Sequence, residues 1–144
     1  MKPGHFIKAV DHDRIVAAIA DAEARTSGRI RVYISHHKTN DVLRSAGSRF
    51  AQLKLNQTAL RNAILIYIAP VSHKFAVIGD TGVHAKCGEE FWRGVVDAME
   101  VGLKRGEFTE ALVHGVQKVG SLLAAHFPPS VDGKDDLSDS VVEE

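Results

Sequence analysis

The 144-residue sequence predicts a single α/β domain, a small mixed sheet with helices on both faces. Three observations carry this. Ala63 to Ala69 is a continuously apolar, isoleucine-rich run, as expected of a strand covered on both faces. Strand-like segments of the same length stand on either side of it, Arg29 to Ser35 and Lys74 to Asp80. The stretches around and between them place apolar residues at helical spacing.

In chain order, Asp11 or Asp13 can cap a first helix running to about Arg25, with Ile15, Ala18, Ile19 and Ala22 on one stripe. Thr26-Ser27-Gly28 ends it. Arg29 to Ser35 alternates, with Ile30, Val32 and Ile34 against Arg29, Arg31 and Tyr33, which predicts a half-covered strand near a sheet edge. Asn40 and Asp41 can cap a second helix carrying Val42, Ala46, Phe50 and Leu53. The short link Pro70 to His73 predicts an antiparallel pair. The longer link through the second helix predicts a parallel, right-handed crossover. Two helices are expected after Asp80. One carries Trp92, Val95, Val96, Met99 and Leu103, and the other Leu112, Val116, Val119, Leu123 and Phe127. Gly102 to Gly106 separates them, and Pro128-Pro129 stops the second. Gly115 and Gly120 inside the last helix each cost up to ~1 kcal/mol against alanine, so close packing on a neighbour is expected there.

Eighteen basic residues balance eighteen acidic ones, which gives no electrostatic reason to expect a nucleic-acid partner. The balance is uneven along the chain. A domain over 1–129 is followed by an acidic tail over 130–144, in which six carboxylates stand against Lys134 and leave it at −5. Such a tail is a solvated extension or lies over the mildly basic body. Cys87 is the single cysteine, so an intrachain disulfide and a cysteine-based zinc site are excluded. The first residues lack the apolar stretch of a signal peptide, and no apolar run approaches the ~20 residues of a membrane span. A cytoplasmic protein with no membrane span is expected.

The predicted topology gathers polar groups. With strands one and two parallel and strand three antiparallel, Asp80 ends strand three beside the starts of the other two. Those starts carry Ser27 and Arg29, and Arg61 and Asn62, while Glu89 and Glu90 open the next helix. Asp80, Glu89, Glu90 and Asn62 offer hard oxygen ligands suited to calcium. The other reading of the same rim is an ion-pair and helix-capping network with no metal. At the opposite rim, His36 and His37 are adjacent and would point to opposite faces of a strand, which does not make a metal pair. Cys87 and Arg93 have the Cys-x5-Arg spacing of cysteine-dependent phosphatases. Glu89 and Glu90 inside that segment would put two negative charges into a phosphate cradle, and Trp92 there reads as a core residue, so Cys87 is set aside as a nucleophile.

Thr26-Ser27-Gly28-Arg29-Ile30-Arg31-Val32, Arg61-Asn62-Ala63-Ile64-Leu65-Ile66-Tyr67 and Phe75-Ala76-Val77-Ile78-Gly79-Asp80-Thr81-Gly82-Val83 resemble, in order and spacing, the TPM domain family. Glu90-Phe91-Trp92, Gly106-Glu107-Phe108 and Ala125-His126-Phe127-Pro128 extend the resemblance to nearly the whole chain. The resemblance implies a three-layer α/β/α sandwich, calcium binding near the rim and acid phosphatase activity, in a short, free-standing bacterial member. The usual motif of that family has glutamate where this chain has Arg29. Arg29 would either pair with Asp80 or Glu89 and occupy the cation site, or point away and help hold an anionic ligand. Two functional readings follow. One is a non-catalytic domain binding a partner protein or ligand, in the maintenance of envelope proteins. The other is a metal-assisted, calcium-dependent phosphomonoesterase.

Overall fold

The computed structural model describes residues 10–129 and 141–143. Helix α1 spans His12–Glu23, with Asp11 as its cap: the carboxylate accepts the Arg14 N–H. Strand β1 is Arg29–Ile34, and α2 is Val42–Gln52, capped in the same way by Asp41. Strand β2, Ala63–Ala69, is buried at every residue, as its unbroken apolar run requires. A 3-10 turn at Pro70–Ser72, closed by left-handed His73, reverses the chain into β3, Lys74–Gly79. Then come α3 (Thr81–Cys87), α4 (Glu89–Lys104) and α5 (Phe108–His126), and finally β4, Val141–Glu143.

The strand order is β3-β2-β1-β4. As expected, β1 and β2 are parallel, with Arg29 opposite Ala63, and β2 and β3 form an antiparallel hairpin. The sheet is sandwiched between two helical layers. Ile30, Val32 and Ile34 of β1 and Ile64, Ile66 and Ile68 of β2 pack with residues of α1, α3, α4 and α5. The opposite face holds Tyr33, Leu65, Tyr67 and Ala76 against Ala46 and Phe50 of α2 and Leu55. Tyr33 and Tyr67 stack there at 5.3 Å, and the Arg49 guanidinium lies 4.5 Å above the Tyr33 ring. Close packing at the two glycines is borne out. A Cβ at Gly115 would stand 2.7 Å from Met99 of α4, and one at Gly120 2.6 Å from the Ala22 Cβ of α1.

Three expectations need correction. Strand β1 is neither half-covered nor at an edge, because β2 and β4 flank it and even Arg29 and Arg31 are buried. Arg31 belongs to an internal pair with Glu23, which periodicity cannot distinguish from a solvated face. Second, a separate helix, α3, precedes the two that were expected after Asp80. Its seven residues are too few to establish an apolar stripe. Third, the acidic tail does not remain a wholly free extension. Residues 130–140 lie outside the described part, but Val141–Glu143 pair in parallel with Val32–Ile34. A pair of β-branched valines suits that role.

Candidate functional site

The rim where β1 and β2 begin and β3 ends is organised by one reversal, Thr58 to Asn62. The Arg61 N–H reaches the Thr58 carbonyl (3.2 Å), and Arg61 itself takes a left-handed φ of 52°. The Thr58 hydroxyl accepts the Asn62 N–H at 3.2 Å and donates to Asn62 Oδ1 at 3.4 Å. Asn62 Nδ2 in turn donates to Ser27 Oγ at 3.2 Å. Asn62 is 1% exposed, so its amide is a buried polar group bonded at both ends. The Ser27 N–H and the Thr26 hydroxyl both donate to the Phe127 carbonyl, which ties the β1 entry to the end of α5.

Asp80 closes the rim from the β3 side. Its N–H donates to the Ala63 carbonyl at 3.0 Å, next to Asn62, which is the juxtaposition the topology predicts. The carboxylate is buried and bonded through both oxygens. Arg61 Nε lies 2.6 Å from Oδ2 and Nη2 lies 3.0 Å from Oδ1, a bidentate fork. The Thr81 N–H donates to Oδ1 at 2.8 Å, so Asp80 also caps α3. The hydrogen bond and charge of Asp80 raise the Arg61 guanidinium above its ordinary pKa. Behind the pair, Gly82 sits so close that a Cβ would fall 2.2 Å from the Leu60 carbonyl oxygen, and its N–H donates to the Arg61 carbonyl at 2.8 Å. Only glycine allows the first turn of α3 to rest on that backbone.

Ser27, Asn62, Arg61 and Asp80 are thus joined in two short networks. Arg29 is buried one strand away, its N–H donating to the Asn62 carbonyl at 3.4 Å. Strand β2 stands between it and Asp80, whose carboxylate Arg61 holds instead. Glu89 and Glu90 open α4, and their side chains lie outside the described part. Among the described residues no group of three histidine, cysteine, aspartate or glutamate side chains could hold a metal ion. Thr58 was missed by sequence reasoning. Its signal was a hydroxyl residue four positions before a buried asparagine, at the start of a turn.

At the opposite rim His36 and His37 are exposed, and the His37 N–H donates to Ser35 Oγ. Neighbouring polar groups there serve capping and turns, with Thr39 bonded to Ser45 and Ser72. Cys87 is the last residue of α3, and burial raises its thiol pKa, the opposite of what a nucleophile needs. Trp92 is only partly buried, against the expectation of a core position. It packs edge-on against Phe91 at 4.6 Å, and Phe91 is the residue in the core. Alkylation of Cys87 by iodoacetamide at neutral pH is expected to run several-fold slower than that of a small free thiol. Cys87→Ser should leave any phosphate-ester hydrolysis unchanged. Rapid alkylation, or hydrolysis lost in a folded Cys87→Ser variant, would reinstate the thiol.

Among the described residues no helix is long and apolar enough to cross a membrane. Residues 1–122 match the family model described as the TPM domain. The solved structures similar to the chain include the BA42 protein of the psychrophilic bacterium Bizionia argentinensis. It is 36% identical with a TM-score of 0.86, over 92% of each chain. The N-terminal domain of a P. gingivalis protein shares the fold at TM-score 0.62 and 13% identity, over 77% of this chain and 72% of that one. An N-terminal domain from Corynebacterium glutamicum does so at 0.61 and 18%, over 82% and 74%. No curated protein matches the chain.

Proposed function

The chain belongs to the TPM domain family, and we propose that this member is a non-catalytic domain that binds a partner protein, not a phosphatase. Asp80 carries the reading. Among the described residues, the carboxylate best placed to serve a cation or a water is already bonded through both oxygens to Arg61 and caps α3. Asn62, a second oxygen donor of the rim, is bonded to Thr58 and Ser27. Calcium takes about six to eight oxygen ligands, and its affinity follows their charge. Arg29 adds a fixed positive charge where the family motif supplies a carboxylate.

Hydrolysis of p-nitrophenyl phosphate with and without calcium tests this directly. The expected result is no turnover above buffer in either condition, together with no calcium binding heat by isothermal titration. Arg29→Glu restores the motif's carboxylate, and with Arg61→Ala added to release Asp80 it is expected to bring calcium binding that Asp80→Asn removes again. Calcium-dependent turnover by the unmodified chain would overturn the reading. So would tight calcium binding indifferent to position 29.

A further inference from the structure

The two edges of the sheet's three long strands are finished differently. Along β1, the Ile30 N–H that would point outward is bound by Glu23 Oε2 at 2.6 Å. The Ile30 carbonyl accepts from Arg31 Nη1 at 2.6 Å, and β4 covers Val32–Ile34. No such cover exists on β3 among the described residues. Asp80 and Ala63 are a hydrogen-bonded pair, and bonded and non-bonded pairs alternate along an antiparallel ladder. Lys74, Ala76 and Ile78 therefore bond inward to β2, and the N–H and C=O groups of Phe75 and Val77 point outward. Among the described residues no hydrogen bond reaches these outward groups.

A groove of about 410 Å³ lies at this edge and is lined from both helical layers. Val42 of α2 stands on one side, Val96 and Leu103 of α4 on the other, with Lys74 and Phe75 of β3 between. A slot that straddles a sheet edge between its two helical layers is where an added strand lies. Its rim is basic. Lys74 and Lys104 are both exposed, and Glu100, the one acid lining the groove among the described residues, pairs with Lys104 at 2.9 Å, which leaves the charge of Lys74 uncompensated. A second copy pairing through the same edge would bring the same basic rim against it, an arrangement that edge lysines disfavour.

We infer that β3 is a strand-addition site for an extended, acid-bearing peptide segment of a partner protein. The peptide bonds the main chain of Phe75 and Val77, lays apolar side chains along Phe75, Val96 and Leu103, and sets a carboxylate near Lys74 and Lys104. This rests on the binding reading above and names its surface.

The probe is the blocked peptide acetyl-Glu-Val-Thr-Val-Thr-Glu-amide, titrated into the full chain labelled with nitrogen-15. Saturable shifts centred on the Phe75 and Val77 amides are expected, with slowed hydrogen exchange at both. A control peptide methylated on alternate backbone nitrogens should not bind. Val77→Pro removes an outward donor without touching the ladder to β2. It should weaken binding about tenfold, the loss of one main-chain hydrogen bond. Lys74→Glu with Lys104→Glu changes only exposed side chains, leaves the main-chain ladder of Lys74 to β2 in place, and should reverse the preference toward a lysine-ended peptide. Unchanged resonances of β1 and α5 certify the fold of both variants. Shifts that are absent, lie elsewhere, persist with the methylated peptide or ignore both variants overturn the inference. Concentration-dependent shifts of β3 in the chain alone would assign the edge to a second copy and also overturn it. Absence of peptide binding in a chain that hydrolyses nothing rejects this surface and leaves the non-catalytic reading standing. Calcium-dependent hydrolysis rejects that reading whatever the peptide does.

Discussion

Glu23→Ala is expected to destabilise the domain by about 3–5 kcal/mol, the usual cost of breaking a buried ion pair from one side. Glu23 and Arg31 are 3% and 5% exposed in their side chains and meet at 3.2 Å. The same carboxylate oxygen accepts the Ile30 N–H, so the substitution leaves a buried guanidinium and a main-chain donor short of an acceptor. Guanidinium chloride unfolding, followed by circular dichroism, gives the number. Replacing both residues by methionine should recover much of the loss, because an apolar pair of similar volume often matches a buried ion pair. A loss below about 1 kcal/mol in Glu23→Ala would be the value of a solvated surface pair. That outcome would mean the β1 edge is open to water.

Ile66→Ala and Leu65→Ala are expected to cost about 2–5 kcal/mol each. These neighbours on β2 point to opposite faces, and both are fully buried. Ile66 packs in the larger core with α5, where it approaches Gly115, while Leu65 packs in the smaller core beneath α2. Comparable losses at the two positions are what a sheet covered on both faces requires. A Leu65→Ala loss within about 0.5 kcal/mol of zero would be typical of a surface site, and would mean that α2 does not seal its side of the sheet.

Local chemistry wrote most of the frame into the sequence. The apolar run Ala63–Ala69 could satisfy its side chains only between two covering layers, and it is buried throughout. Asp11, a candidate alongside Asp13, and Asp41, a candidate alongside Asn40, cap the first two helices, since a carboxylate shortly before an apolar stripe is a local signal. The four-residue link at Pro70–His73 fixed an antiparallel pair, and from that pair followed the meeting of Asp80 with Asn62. The resemblance to the TPM domain rested on those same segments, and the family match bears it out.

Partner choice lay beyond the sequence. Arg29 and Arg61 are both arginines at strand starts, and periodicity gives no reason for Asp80 to prefer one. The left-handed turn at Arg61 and the contact between Gly82 and the Leu60 carbonyl bring Arg61 to the carboxylate, and these depend on how α3 docks. Arg31 looked like a solvent-facing residue of a half-covered strand because Glu23, eight residues earlier, carries no local mark of being its partner. Helix α1 has to pack against β1 before that carboxylate can reach the edge. The position of β1 inside the sheet was equally hidden. It depends on Val141–Glu143 returning from more than a hundred residues away, a long-range pairing that no window of sequence contains. Side-chain pattern and capping are set by neighbours in the chain. Ion pairing, edge cover and the open flank of β3 are set by neighbours in space, and only the folded chain supplies those.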